Sequence, residues 1–499
     1  MKLLKLGALQ AVLVVLFLAG SGAAQCSTSF ISVTPPSQEF PNTGGTGVVT
    51  VNAPAGCPWS ASSNSPLIQI VFGSGMGIGN VTFHVGANPS SQPQGGEISV
   101  VGGLTPANAF VTVDGTTSSP SNANTQHVFF IGSELHIHEL LWSGGKWFHN
   151  DLNALWGGSS ATAGTHLTSF DFTPPGGSNG MHIFYLASDQ HVHELVWANN
   201  AWFPNDINAL AHNAPLADPS AGLLGYTFVP PGGSIGMHVF YIGAEHHIHE
   251  LFWSGGAWIH NDLTTQWGGV AAAPGSSLAG TTFVPPGGTN SMHVFYFGTD
   301  QHVHELNWTN NTWIPNDLTA QWGGPLAATG SSLLSYIFLP PNSSNTMHVF
   351  YTTTNQHVEE LDWFNYTWTP NDLTTQSGGA AAAAGSALTG YTFTPPGSTN
   401  GMHVFYLSSD GHVHELFWAN ATWFPSDLTT QWGGPAAVGG SALTGYVFTG
   451  NAMHVFYVAA DQNVHELIWQ PGSWVPDDIT SFAGGPLVPL QSALSGLTF

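Results

Sequence analysis

The sequence predicts an all-β protein, a seven-bladed β-propeller preceded by an Ig-like β-sandwich. Three observations carry this prediction. A segment of the form Met-His-Val-Phe-Tyr recurs from residue 126 onward, at His127, His182, His238, His293, His348, His403 and His454, with spacings of 55, 56, 55, 55, 55 and 51 residues. A fixed period of this size marks a propeller or a solenoid. Each repeat holds four short strand-like segments, as at 386–393, 402–406, 412–418 and 422–427, with Pro395-Pro396, Asp410-Gly411 and Asn420 between them as turn residues. The first repeat opens at its second strand, while 492–499 copies the first strand. One blade is then completed from both ends of the chain, which closes the ring and removes free edges. A solenoid would carry distinct caps instead.

Residues 1–24 read as a secretory leader. Lys2 and Lys5 form its positive end, 11–20 its apolar core, and Gly22 and Ala24 the small residues before cleavage. The apolar run is too short to span a bilayer, so a bacterial-type export to the outside is expected, with no membrane insertion. A lipid anchor on Cys26 would want a small residue before it, and Gln25 is not small. Cys26 and Cys57 are the two cysteines of the chain. In an oxidising compartment they are expected to form a disulfide, which on the chain-entropy account contributes roughly 3 kcal/mol.

Residues 26–114 show alternating segments at 47–51, 68–72, 81–85, 97–100 and 110–113, separated by Gly, Pro, Asn and Ser clusters. At this length the pattern predicts an antiparallel β-sandwich. Cys26, Gly44-Gly45, Cys57-Pro58-Trp59, Asn88 and Gly96-Glu97-Ile98 make the segment resemble the BACON family of Ig-like bacterial modules, whose members accompany carbohydrate-active proteins. The resemblance implies a glycan-binding module or a spacer, and a spacer is expected. Residues 115–125 are a polar linker, flexible by composition.

Charge narrows the function. The chain has 28 acids against 3 Lys and Arg, and two of those bases lie in the leader. Lys146 is then the one cation of the mature protein. Nucleic acid and other polyanions are excluded as partners, because phosphate binding runs on Lys and Arg. The 42% apolar and 12% aromatic content supplies a core and argues against disorder.

Strand alternation places His191, His193, Leu195 and Trp197 on one face of the third strand, with Val192 and Glu194 on the other. The glutamate recurs as Glu139, Glu194, Glu250, Glu305, Glu360, Glu415 and Glu466. One tryptophan closes this strand, as Trp197 and Trp253, and is expected to fill the space between sheets. Another opens the fourth strand, as Trp147, Trp202, Trp258, Trp313, Trp368, Trp423 and Trp474. The Asn205-Asp206 pair is expected to organise a turn by capping. Carboxylates without Arg or Lys partners are costly to bury, so they belong at a rim or in hydrogen bonds. A neutral sugar needs an aromatic face and a few fixed polar groups. The recurring histidine, glutamate and fourth-strand tryptophan supply both in every repeat, so the expected function is multivalent binding of neutral glycans.

The same residues admit three other readings. His191 and His193 have a two-ligand metal spacing, but a third ligand must come from elsewhere, and Glu359 and Asn463 break the pattern. No metal or other cofactor is expected. An enzyme needs a unique arrangement, commonly two carboxylates in different environments, whereas this chain repeats one arrangement throughout; no catalysis is expected. The alternative to a lectin is a structural or protein-binding propeller without sugar affinity.

The pattern His-Val-Phe-Tyr, then Asp-x-His-Val-His-Glu-Leu, a tryptophan, and Ser-x-Leu-x-Gly-Tyr resembles the fungal fucose-specific lectin family and its bacterial relatives over residues 126–499. The resemblance implies sugar pockets between blades, each with an arginine from the second strand, a glutamate from the third and aromatics from the neighbouring blade. The glutamate falls on the seven glutamates above. The arginine position falls on His127, His182, His238, His293, His348, His403 and His454. Imidazole offers one donor and one acceptor when neutral, so binding is expected to strengthen on its protonation beside glutamate.

Overall fold

The computed structural model describes residues 31–40, 44–88, 94–102, 106–113, 125–212, 214–341, 343–448 and 452–499. Two compact units divide between residues 121 and 122. The leader, Cys26 and most of the linker lie outside the described residues. Cys57 is disulfide-bonded. No helix among the described residues is long and apolar enough to cross a membrane.

The N-terminal unit has nine strands: β1 (Ser32–Thr34), β2 (Ser37–Phe40), β3 (Gly45–Asn52), β4 (Pro58–Ser63), β5 (Ile68–Phe72), β6 (Ser74–Met76), β7 (Gly79–Val85), β8 (Gln94–Val101) and β9 (Ala107–Val113). They form two sheets, ordered β1-β3-β7-β5 and β2-β9-β8-β4-β6. Alternation turns Val49, Val51, Val81, Phe83 and Val85 of one sheet toward Trp59, Ile98, Val100, Val111 and Val113 of the other, in one buried cluster. The Trp59 indole N–H is satisfied by the Gly77 carbonyl at 2.7 Å. Pairing is antiparallel except between β2 and β9, so the expected all-antiparallel sandwich needs that correction: β2 returns along β9 rather than hairpinning from it.

Residues 125–499 build seven four-stranded sheets. Unit six is representative, with strands Leu388–Phe393, Gly401–Leu407, Val413–Ala419 and Thr422–Asp427 pairing antiparallel in chain order. In unit one the strand Leu494–Thr498 pairs with Gln126–Ile131, so the two ends of this region share a sheet. The first strands of units two to seven, Leu167–Phe172, Leu223–Phe228, Leu278–Phe283, Leu333–Phe338, Leu388–Phe393 and Leu443–Phe448, each lie against the next. Leu494–Thr498 lies against those of units seven and two, which returns the cycle to its start. These repeated sheets are consistent with a β-propeller.

The second strand reads as a continuous apolar run because both its faces are covered, and all seven residues of Gly401–Leu407 are buried. Its tyrosine is wholly buried yet satisfied: the hydroxyl of Tyr406 donates to the Ala380 carbonyl at 2.7 Å. Burial raises such phenols well above their usual range, as for Tyr406 and Tyr457.

One feature departs from a purely β reading. After each fourth strand a single helical turn follows, as at Leu428–Trp432. Asp427 caps it, its Oδ1 accepting from Thr430 N at 2.8 Å. The Asn-Asp pair thus starts a helix, not just a turn.

Candidate functional site

Register explains how the site assembles. In unit two, His182 lies opposite Val196, Glu194 opposite Phe184, and Glu194 also opposite Asn205. Directly paired residues point to the same side, so His182, Glu194 and Asn205 share one face across three strands. The Nδ1–H of each recurring histidine donates to Oε1 of its glutamate: His127 to Glu139, His182 to Glu194, His238 to Glu250, His293 to Glu305, His348 to Glu360, His403 to Glu415 and His454 to Glu466, at 2.5–2.8 Å. All seven glutamates are buried.

Oε2 is used by a residue the sequence reading had left in the turn. Asn150, Asn205, Asn261, Asn316 and Asn371 each donate to it at 2.7–3.0 Å. The pair therefore divides its labour: Asp206 caps the helix, while Asn205 holds the glutamate. Alternation along the fourth strand would have revealed this, since it puts Asn205 on the glutamate's side. Ser426 and Asp477 stand at this position in units six and seven. Burial raises the pKa values of both Glu466 and Asp477.

With Nδ1 donating, the neutral imidazole presents Nε2 as an acceptor. A hydroxyl meets it in three units, from Thr125, Ser291 and Thr346, at 2.6–2.8 Å. Gly180, Gly236, Gly401 and Ala452 stand there in the others. In two of these, His403 and His454, Nε2 is buried without a hydrogen-bond partner.

The opposite face of each sheet carries the tryptophans, and it packs on the preceding unit. Trp202, Trp258, Trp313, Trp368, Trp423 and Trp474 are buried and Trp147 is half-buried. Each meets a second-strand phenylalanine of the preceding unit edge-on, as Trp368 does Phe295, with centroids 6.0 Å apart. These were the expected sugar platforms, and the structure makes them mainly inter-sheet packing. The tryptophans that close the third strand were expected to be that packing, but they are half-buried and more open. Trp363 meets Phe283 edge-on at 4.9 Å. Phe283 ends its strand, so this contact lies near the margin of the packed layer, leaving part of the indole at the surface.

Among the described residues, two clefts between adjacent units bring the recurring histidine and glutamate opposite aromatic side chains. One of about 500 Å³ is bounded by His293, Glu305, Asn307 and Asn316 of unit four and by Trp363, Tyr366 and Trp368 of unit five. Tyr366 roofs it, donating its hydroxyl to the Pro286 carbonyl at 3.0 Å. The other, about 300 Å³, brings His348, Glu360, Asp362 and Asn371 of unit five opposite Trp418 and Trp423 of unit six. What distinguishes these clefts is the residue paired with the histidine on the third strand. It is Leu141, Val196, Phe252, Phe417 or Ile468 in the other units, but Asn307 and Asp362 here. Phe252 and Phe417 stack on their imidazoles at 4.6 and 4.8 Å. Asn307 and Asp362 each keep a buried Oδ1 without a hydrogen-bond partner. Burial pushes the Asp362 carboxyl up to about 6, although His348 nearby pulls it down.

The histidines set aside as metal candidates also have more company than the sequence suggested. Asp189, His191, His193 and Asp206 converge where the third strand begins and the fourth ends, so third and fourth ligand-type groups are present. The helix cap supplies one, and the turn residue two positions before the histidine pair supplies the other.

No protein-family model matches the chain. A fucose-specific lectin from Aleuria aurantia is 25% identical over 223 residues, which is 42% of this chain and 61% of that protein. The chain thus spans about three fifths of the length of this curated relative. Among solved structures, a six-bladed β-propeller fungal lectin from Aleuria aurantia is similar over 67% of this chain and 98% of its own, at 16% identity and a TM-score of 0.45. The AofleA protein from Arthrobotrys oligospora covers 66% of this chain and 88% of its own, at 15% identity and a TM-score of 0.44.

Proposed function

We propose that this protein is an exported lectin whose seven-bladed, ring-closed propeller binds neutral glycans, fucosylated ones among them, in clefts between neighbouring blades. The observation that carries the reading is the cleft between units four and five. There an aromatic wall, Trp363 and Tyr366, faces acceptors and donors fixed by a buried network of His293, Glu305 and Asn316. Its size suits one or two sugar rings. The Asn307 Oδ1, lacking a partner, is an acceptor that a ring hydroxyl satisfies. The fucose specificity of the Aleuria aurantia relative supports the choice of sugar.

The reading is binding without catalysis. In five units both oxygens of the recurring glutamate are engaged by side-chain donors, which fits a positioning role. The N-terminal unit serves as an Ig-like, BACON-like spacer, and the leader directs export. A glycan array on the full chain tests the function, with Trp363→Ala as control. Wild-type binding to fucosylated or other neutral glycans, weakened in the variant, is the expected result. A blank array at millimolar sugar with folded protein overturns the proposal in favour of a structural propeller. Absence of reducing-end release from polysaccharides is the expected companion result.

A further inference from the structure

Where the third strand begins and the fourth ends, on the sheet face opposite the recurring glutamate, a second constellation recurs. In unit six it comprises Asp410 in the turn before the third strand, His412 and His414 at that strand's start, and Asp427 at the end of the fourth. One ligand-type atom of each lies within 4.8 Å of all the others. His412 Nδ1 is 2.9 Å from Asp427 Oδ2 and 3.4 Å from Asp410 Oδ2. His414 Nε2 is 3.8 Å from Asp410 Oδ1 and 4.0 Å from Asp427 Oδ2. A tetrahedral ion bonded at about 2.0–2.1 Å to nitrogen and oxygen sets its ligands roughly 3.3 Å apart, and the four atoms bracket that spacing.

His414 Nε2 is the telling atom. The residue is only 6% exposed, and this nitrogen has no hydrogen-bond partner among the described residues. It faces two carboxylates from beyond hydrogen-bonding reach, a geometry that a shared cation satisfies and a direct contact does not. The other ligands are held in place. Thr430 Oγ1 donates to Asp427 Oδ2 at 2.7 Å, and Asp410 accepts from the Ser408 hydroxyl and from His412 N. Two neutral imidazoles and two carboxylates sum to a double negative charge, which a divalent ion cancels, in a chain with 28 acids against 3 Lys and Arg. Two nitrogen donors favour the zinc class over calcium or magnesium, which prefer oxygen throughout. Units two, three and four carry two histidines and two carboxylates at the same positions. Glu359 replaces one histidine in unit five, and Asn463 one in unit seven.

In units two, three and four the matching Nε2 is hydrogen-bonded to the turn carboxylate directly, at 2.5–3.2 Å. Among the described residues only unit six leaves that nitrogen open, and we propose that Asp410, His412, His414 and Asp427 bind a divalent transition-metal ion. The ion ties the inter-strand turn to the end of the fourth strand, and the site is independent of the glycan clefts.

The test uses the untagged full chain, stripped with chelator, equilibrated with Zn²⁺ and gel-filtered before elemental analysis. The expected count is one ion per chain, with Co²⁺ giving the intense visible absorption of a four-coordinate site. His414→Gln should lose that ion, as should Asp427→Asn. Fewer than one ion per wild-type chain overturns the proposal, as does an unchanged count in either folded variant. Should neither variant fold, the histidine imidazole resonances of the wild type decide: shifts saturating with Zn²⁺ support the site, and none refute it.

Discussion

Units three and four share the same framework yet differ in what they leave open. Both hold a histidine against a glutamate at 2.7 Å and an asparagine against that glutamate's second oxygen. In unit three Phe252 lies flat on the imidazole. In unit four Asn307 takes that strand position, and a cleft of about 500 Å³ opens toward Trp363. The residues that recur therefore build the frame, and the one that varies decides access. Recurrence alone points to scaffold as readily as to ligand contact.

The largest expected effect asks whether the frame is common to all units. Glu305→Ala leaves the buried His293 Nδ1 and the half-buried Asn316 amide without their acceptor and should lower stability by about 3 kcal/mol. Glu194→Ala should cost the same in urea unfolding, and unequal losses would break the equivalence. Next, Asn307→Phe should cover the imidazole as Phe252 does. Calorimetry should then read a sugar affinity at that cleft reduced about tenfold or more, near 2 kcal/mol, with the fold retained. The reciprocal change, Phe252→Asn, should add one sugar site per chain at a stability cost of about 1–2 kcal/mol for the lost ring packing.

The smallest effect is electrostatic and belongs to unit five. The Asp362 carboxyl is raised to about 6 by burial, above its value in an unfolded chain. A raised acid favours the folded state while protonated, so that stability is present below about pH 4 and is lost as pH rises through about 6. Asp362→Asn should therefore match wild type at pH 4 and exceed it at pH 7.5 by about 1 kcal/mol. This figure is discounted because the side chain remains 31% exposed. Thermal melts at the two pH values check it, and an equal gain at both would show that packing, not charge, is responsible.

Much of this was legible in the sequence because period and alternation are properties of the chain itself. The 55-residue spacing marked the repeats, and alternation put Glu194 and Trp197 on opposite faces. The pairing of 494–498 with 126–131 followed from a displaced copy of one strand. What escaped depends on neighbours in space. The short strands Ser32–Thr34, Ser37–Phe40 and Ser74–Met76 are too brief to show a period. Trp258 and Trp253 are both tryptophans on one face, and the phenylalanine that each meets on the preceding sheet, Phe184 or Phe172, decides which is covered. Asn205 looked like turn chemistry because its neighbour Asp206 is exactly that kind of residue, a helix cap. The His-Asp constellation escaped for a related reason: its carboxylates come from the turn before the histidine pair and from the following helix cap.

The sheet shared by the two ends of the C-terminal region also constrains how the molecule is made. Thr125 and Phe499 are bonded across 374 positions, and Leu494–Thr498 is made long after its partner strand, Gln126–Ile131. The units between can gather early around local hairpins, but the first keeps an unpaired edge until Leu494–Thr498 arrives. Because the entropy of so long a closure grows only logarithmically, delay rather than thermodynamics is the hazard. A nascent chain in this condition invites strand exchange with its neighbours until both partner strands are present together.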